Sequence, residues 1–238
     1  MKLGILNACS PKDEEEFGTT EFQSFQAFLA QAQHKLTLTE YRITEGDFPV
    51  SPDTCDAYLI TGSPKGVYDE ERWIGQLQEF IRAAYAARRK LVGICFGHQI
   101  LAHALGGMAA KSEKGWGIGR HVVDIAAERE WMQPALPTGG FYFCHQDQVT
   151  ELPAAAERLA GNSFCPNGMF VIGEDGKGDR VFGLQAHPEF TPEVMGKAMT
   201  WLKTQTAPDV VAQAEVRTLG HAVDNAVMAQ WIVNFLTQ

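Results

Sequence analysis

At 238 residues, 45% hydrophobic and 21% charged, the chain has the balance of an ordinary globular protein with enough length for one generous α/β domain. A net charge of −9 and the lack of any basic cluster longer than Arg88-Arg89-Lys90 argue against a nucleic-acid surface. The apolar stretches fall far short of a membrane span, Met1-Lys2 leads straight into a strand with no secretory segment, and five cysteines carry no CxxC pair, so free thiols in a reducing cytoplasm are expected.

In chain order, Leu3 to Ala8 reads as a short strand and Ser10 to Phe17 as a polar, acidic loop whose run Asp13-Glu14-Glu15-Glu16 is taken as solvated surface. Phe22, Phe25, Phe28 and Leu29 give helical spacing between Thr19 and His34, and Leu36 to Ile43 alternates as a second strand. Ala57 to Ile60 is a third strand, stopping at the turn-rich Thr61-Gly62-Ser63-Pro64-Lys65-Gly66. Trp73 to Arg89 is a strong amphipathic helix, Lys90 to Ile94 a buried strand, and Gln99 to Leu105 a helix ended by Gly106-Gly107. This alternation predicts an α/β fold with a mostly parallel central sheet flanked by helices.

The second half reads as a small antiparallel portion. Strands are expected over Gly119 to Ala126, Gly140 to Cys144, Met169 to Glu174 and Arg180 to Gln185, the last two joined by the hairpin signal Asp175-Gly176-Lys177-Gly178-Asp179. Trp131 to Leu136 reads as a short helical turn. One helix starts near Pro192, and only a loop and the helix Ala222 to Leu236 follow residue 205. With no repeat or composition break, one domain over 1–238 is expected, with a core from about 3 to 205 and a helical extension over 206–238.

Chemistry concentrates at Gly93-Ile94-Cys95-Phe96-Gly97. A cysteine flanked two residues either side by glycine, between strand and helix, matches the nucleophile-elbow signature with sulfur in place of oxygen. A side chain on so sharp a turn stands clear of the backbone, and the crowding leaves room only for glycine beside it. The helix that follows aims free N–H groups at the sulfur, a setting that favours thiolate. The alternative is a buried cysteine in a core strand, the commoner fate of a free thiol.

A sulfur nucleophile needs a base, and the base an orienting group. Of seven histidines, His187 stands out in Gln185-Ala186-His187-Pro188-Glu189-Phe190, at the end of a predicted strand. Pro188 keeps His187 extended, so His187 and Glu189 project to one side and the carboxylate can hold the imidazole. A strand-end histidine beside a solvated glutamate is the plainer alternative.

Val92-Gly93-Ile94-Cys95-Phe96-Gly97-His98-Gln99 and Gln185-Ala186-His187-Pro188-Glu189-Phe190 resemble the two signatures of class I (triad) glutamine amidotransferases, and Ile60-Thr61-Gly62-Ser63-Pro64-Lys65-Gly66 resembles the family's oxyanion-strand loop. The three occur in family order, and the likeness is nearest to stand-alone proteins similar to the amidotransferase domain of guanosine monophosphate synthetase. The resemblance implies a flavodoxin-like fold and a Cys95-His187-Glu189 triad. Cys95 would attack a γ-glutamyl carbonyl, His187 would carry the proton, and Glu189 would orient His187. Backbone N–H groups of Phe96 and of Gly62 and Ser63 would meet the oxyanion; the family often has glycine where Ser63 stands. Gln99 matches the position that holds the α-amino acid end of the substrate, and His145 and Asp147 fall in a segment that lies against it. Lys114 to Gly119 resembles a loop near the same pocket, and His98 is read as structure or pocket wall.

The expected activity is hydrolysis of the γ-glutamyl amide of glutamine or a similar compound through a thioester on Cys95, releasing ammonia or amine for a separate synthase partner. Alternatives are a γ-glutamyl peptidase with no acceptor and a non-catalytic binding or regulatory protein on the same fold. A thiol-based stress protein of the PfpI type fits less well, because Phe96 rather than histidine follows Cys95. No cofactor or metal is implied, since clustered ligands at short spacings are absent. Nucleic acid and membrane are not expected as partners. Cys9, Cys55, Cys144 and Cys165 read as small apolar residues, and the stripes Phe22/Phe25/Phe28 and Trp231/Phe235 as core packing.

Overall fold

The computed structural model describes residues 1–174 and 178–238. Strands β1 (Lys2–Asn7), β2 (Thr37–Arg42), β3 (Ala57–Ile60), β4 (Lys90–Ile94) and β11 (Gly178–Leu184) run parallel in the order β2-β1-β3-β4-β11. The same sheet continues antiparallel through β10 (Met169–Glu174), β9 (Ala156–Gly161), β6 (Gly117–Ile125) and β7 (Thr138–His145). A separate pair joins β5 (Met108–Lys111) to β8 (Asp147–Glu151). The expected α/β architecture, a parallel sheet with an antiparallel portion, is what forms.

The inner parallel strands β1, β3 and β4 read as largely apolar runs because helices cover both faces. Leu3, Ile5, Leu59 and Val92 point to one face, where they meet Phe25 and Phe28 of α2 (Glu21–Leu29) and Trp231 and Phe235 of α7 (Asn225–Thr237). Leu6, Tyr58, Ile60 and Leu91 point to the other, against Ile74, Leu77 and Ile81 of α3 (Arg72–Ala86) and Ile100 of α4 (Phe96–Ala104). Both aromatic stripes singled out in the sequence are thus core packing, with Phe25, Phe28, Trp231 and Phe235 buried.

Four expectations are corrected. Ser10 to Phe17 is no loop: α1 spans Pro11–Phe17, started by a capping box in which Ser10 and Asp13 each bond the other's backbone N–H, with Pro11 in the first turn. The acidic run is not merely solvated, because Glu14 is buried and accepts from Asn7 Nδ2 (2.8 Å), Glu21 N (3.0 Å) and Arg42 Nη2 (3.2 Å). Trp131 to Leu136 forms turns without helix, Trp131 being held by its Nε1 donating to Asp179 Oδ2 at 2.7 Å. After α5 (Pro192–Leu202) come two helices, α6 (Pro208–Thr218) and α7, and α7 lies in the main core. In the hairpin signal, residues 175–177 lie outside the described residues, while β10 and β11 on either side pair antiparallel.

Candidate functional site

β4 and β11 are neighbours in register, Gly183 beside Gly93 and Leu184 beside Ile94. Cys95 N donates to Leu184 O at 2.9 Å, which extends the ladder to the residue that ends β4. There the chain turns sharply into α4, with Cys95 at φ 52° and ψ −103°. That left-handed φ is costly for a residue with a Cβ, of order 1–3 kcal/mol, and the flanking packing holds it. A Cβ on Gly93 would sit 2.3 Å from Gly97 O, and one on Gly97 would sit 2.2 Å from Ile60 O. Both glycines are required because backbone meets backbone there.

Three residues beyond Leu184, His187 is tied by its N–H to Tyr142 O at 2.8 Å. Its Nδ1 lies 2.6 Å from Glu189 Oε1, and both side chains are buried. With the partner a carboxylate, Nδ1 carries the proton and Nε2 is free for the sulfur. Burial alone would lower the basicity of His187, but the Cys95 sulfur and the Glu189 carboxylate, as charges and as hydrogen-bond partners, carry it well above the usual imidazole value. Phe190 stacks on the ring, centroids 4.2 Å apart. Cys95, His187 and Glu189 thus lie together past the ends of β4 and β11.

The loop after β3 closes the third side. Thr61 anchors it, its N–H donating to Leu6 O (3.2 Å), its carbonyl accepting from Gly97 N (3.1 Å), and its hydroxyl accepting from Ala8 N (2.9 Å). A Cβ on Gly62 would stand 2.9 Å from His187 Cε1 and 3.9 Å from Cys95 Cβ, so this glycine marks where loop, base and sulfur converge. Among the described residues, the N–H groups of Phe96, Gly62 and Ser63 donate to no protein acceptor. The Phe96 side chain is core, packed 5.5 Å from the Trp73 ring, so only its backbone faces the site.

These groups open into a cavity of about 320 Å³, at the small end for ligand sites, whose wall includes Gln99, His145 and Asp147. Both N–H bonds of the Gln99 amide are used, to Asp147 O (2.9 Å) and Gln185 Oε1 (3.1 Å), which leaves its oxygen to accept. His145 Nδ1 donates to the same Asp147 carbonyl at 2.9 Å, and burial pushes His145 down to about 3, so it is a neutral wall group. Of the Lys114–Gly119 loop, Trp116 reaches the cavity. His98 does not: fully buried, pushed by that burial down to about 3 and packed 5.0 Å from Phe170, it is structural.

Sequence reasoning missed several wall residues. Cys9 and Cys144 line the cavity beside Cys95 instead of standing apart from it. Burial pushes the Cys144 thiol up to about 12 and that of Cys9 well above its usual value, so both are neutral thiols. Asp13, Glu14 and Glu21 form an acidic wall, and Val194 and Trp201 an apolar one. Only the capping pattern of Ser10 to Asp13 could have turned attention to this segment, and nothing local points it at Cys95. Among the described residues no group of three acidic, cysteine or histidine side chains could hold a metal ion, and no helix is long and apolar enough to cross a membrane.

A cysteine elbow on a parallel α/β sheet, facing a buried histidine–carboxylate pair, defines the class. The chain belongs to the class-I glutamine amidotransferase family, whose model, Glutamine amidotransferase class-I, matches residues 20–204. It is 34% identical over 163 residues to Gamma-glutamyl peptidase 3 of Arabidopsis thaliana, an alignment covering 65% of this chain and 64% of that protein. It is 30% identical over 141 residues to the glutamine-hydrolyzing GMP synthase of Aquifex aeolicus, covering 59% of this chain and 26% of that one. The chain thus matches less than two thirds of the length of these relatives. The crystal structure of a glutamine amidotransferase from Thermotoga maritima shares the fold, with a TM-score of 0.73 at 18% identity over 100% of this chain and 99% of that one.

Proposed function

We propose that the protein hydrolyses the γ-glutamyl amide of glutamine or a glutamine-like compound through a thioester on Cys95. The observation that carries this reading is the 2.6 Å His187–Glu189 bond, buried beside a sulfur on a strained elbow. Cys95 attacks the γ-carbonyl while His187 Nε2 takes its proton, and the N–H groups of Phe96 and of the Gly62-Ser63 turn receive the developing oxyanion. Each such donor is worth roughly 3–4 kcal/mol of transition-state stabilisation. His187 returns the proton to the departing nitrogen, then draws one from water to release glutamate and free Cys95. Glu189 holds the ring in one tautomer throughout. The free oxygen of Gln99 accepts from the substrate's ammonium group, with His145 and the Asp147 segment as wall.

The released nitrogen has two fates. In one, ammonia passes to a separate synthase subunit in the cytoplasm; in the other, the protein is a γ-glutamyl peptidase with no acceptor. Similarity to Gamma-glutamyl peptidase 3 and the apolar wall beyond His187, with Val194 and Trp201, favour the second. The whole of 1–238 acts as one unit in either case. Glutaminase and γ-glutamyl-peptide assays on the purified protein, with Cys95→Ser as the dead control, test this. No turnover of any γ-glutamyl compound, alone or with a cell extract, would refute it.

A further inference from the structure

One carboxyl in the cavity has no part in the steps above. Glu21 opens α2, its N–H fixed to Glu14 Oε1 at 3.0 Å and its side chain in the same wall as Cys95 and His187. Although part of the residue reaches solvent, Glu21 Oε2 is fully enclosed and has no partner among the described residues. Glu189 Oε2 is in the same condition, while the other oxygen of Glu189 holds His187. Two enclosed carboxyl oxygens without donors among the described residues, on side chains that act on each other's charge, cannot both be anions at low cost.

The start of α2 favours an anion on Glu21, but the side chains around it largely do not. The same cavity wall holds the carboxylates of Glu14 and Asp13 from α1 and, from the segment after β1, the neutral thiol of Cys9. Arg42, the nearest cation by bonding, is engaged by Glu14 at 3.2 Å and by Glu40 at 3.7 Å. Of the side chains that act most strongly on its charge, His187 favours an anion on Glu21, and Glu189 already competes for that imidazole.

We propose that Glu21 is a positioning residue acting through Glu189: as a neutral acid it leaves Glu189 the sole anion on His187, and as an anion it competes for the imidazole and loosens the triad. This deepens the proposed function and rests on it, since the triad is the machinery being held. Burial, then the Glu189 charge and, less, Glu14, push Glu21 from 4.5 up to about 8, with His187 opposing. Glu21 is therefore protonated at neutral pH and ionises under mildly alkaline conditions.

The test measures kcat and KM separately from pH 6 to 10, with γ-glutamyl-p-nitroanilide and glutamine as probes, for the wild type, Glu21→Gln, Glu21→Ala and Glu21→Asp. With a midpoint near 8, about one tenth of Glu21 stays neutral at pH 9, so wild-type kcat falls about tenfold between pH 7 and 9. Glu21→Asp keeps the fall, because it keeps an ionisable group. Glu21→Gln and Glu21→Ala lose it, their own ratio of kcat at pH 9 to pH 7 staying within twofold. KM shows no matching break. An unchanged alkaline fall in Glu21→Gln, or an effect confined to KM or to melting temperature, overturns the proposal. Cys95 alkylation by iodoacetamide over the same pH range separates this from failure of the substrate assignment, since it reads the triad without turnover. Wild type and Glu21→Gln must diverge above pH 8, and coincident profiles overturn the proposal whatever the substrate is.

Discussion

The strain at Cys95 can be weighed by comparing two dead variants, Cys95→Ala and Cys95→Gly. Both lose the sulfur, so the difference between them isolates the Cβ at φ 52°, ψ −103°. Removing that Cβ relieves about 1–3 kcal/mol of backbone strain. Against this, glycine costs about 0.5–1 kcal/mol through the freedom it gives the unfolded chain. Losing one buried carbon costs about 0.8 kcal/mol more. The strain therefore roughly offsets the other two, and Cys95→Gly should be as stable as Cys95→Ala or slightly more so. At an unstrained site glycine would be worse by about 1.5 kcal/mol, or about 3–6 °C in a domain of this size. Differential scanning calorimetry of both proteins decides the matter. A Cys95→Gly variant melting 3 °C or more below Cys95→Ala would show that the turn stores no strain.

Gly62→Ala should keep the fold but lower kcat about 100-fold, because its methyl would meet the His187 ring at 2.9 Å and a misplacement of about 1 Å is enough for that loss; a variant with native circular dichroism and wild-type kcat would count against it. Glu14→Ala should destabilise by about 3 kcal/mol in urea titration, since it strips a buried carboxylate from Asn7, Arg42 and the Glu21 N–H. Stability should fall on acidification between about pH 6.5 and 4. His98 and His145 are pushed to about 3, and His121 to about 4, by burial, with Arg217 adding to the shift at His121. The unfolded chain therefore takes up protons across that window that the folded one refuses. Urea unfolding at pH 7 and pH 5 checks the sign, and greater stability at pH 5 would contradict it.

The elbow and the His187-Pro188-Glu189 segment were legible because each is a local solution to a steric problem: glycines at backbone contacts, and a proline that keeps its neighbour extended. The apolar runs of β1, β3 and β4 were legible because helices bury both of their faces. The residues that escaped did so for equally physical reasons. Glu21, Cys9 and Cys144 acquire their setting only when α1, α2 and β7 fold around the elbow, and no spacing in the chain encodes that approach. α6 buries only Val211 and Ala214, too few to mark a stripe. β9 is half exposed, with a burial pattern that does not alternate.

The sulfur and the imidazole stand just past the ends of adjacent strands, β4 and β11, locked by consecutive pairings from Leu91–Val181 to Ile94–Leu184. Their mutual placement is thus inherited from the sheet, and the rim is contributed by separate pieces of chain: α1 and α2, the loop after β3, the β7–β8 corner, and α5. Away from Gly62 and Glu21, which bear directly on the His187 ring, these pieces can be lengthened, swapped or recharged without altering the distance from sulfur to ring. Grafting a relative's rim segments onto this chain should therefore redirect its choice of amide while the reactive pair stays in place, which makes the rim a tractable starting point for directed diversification.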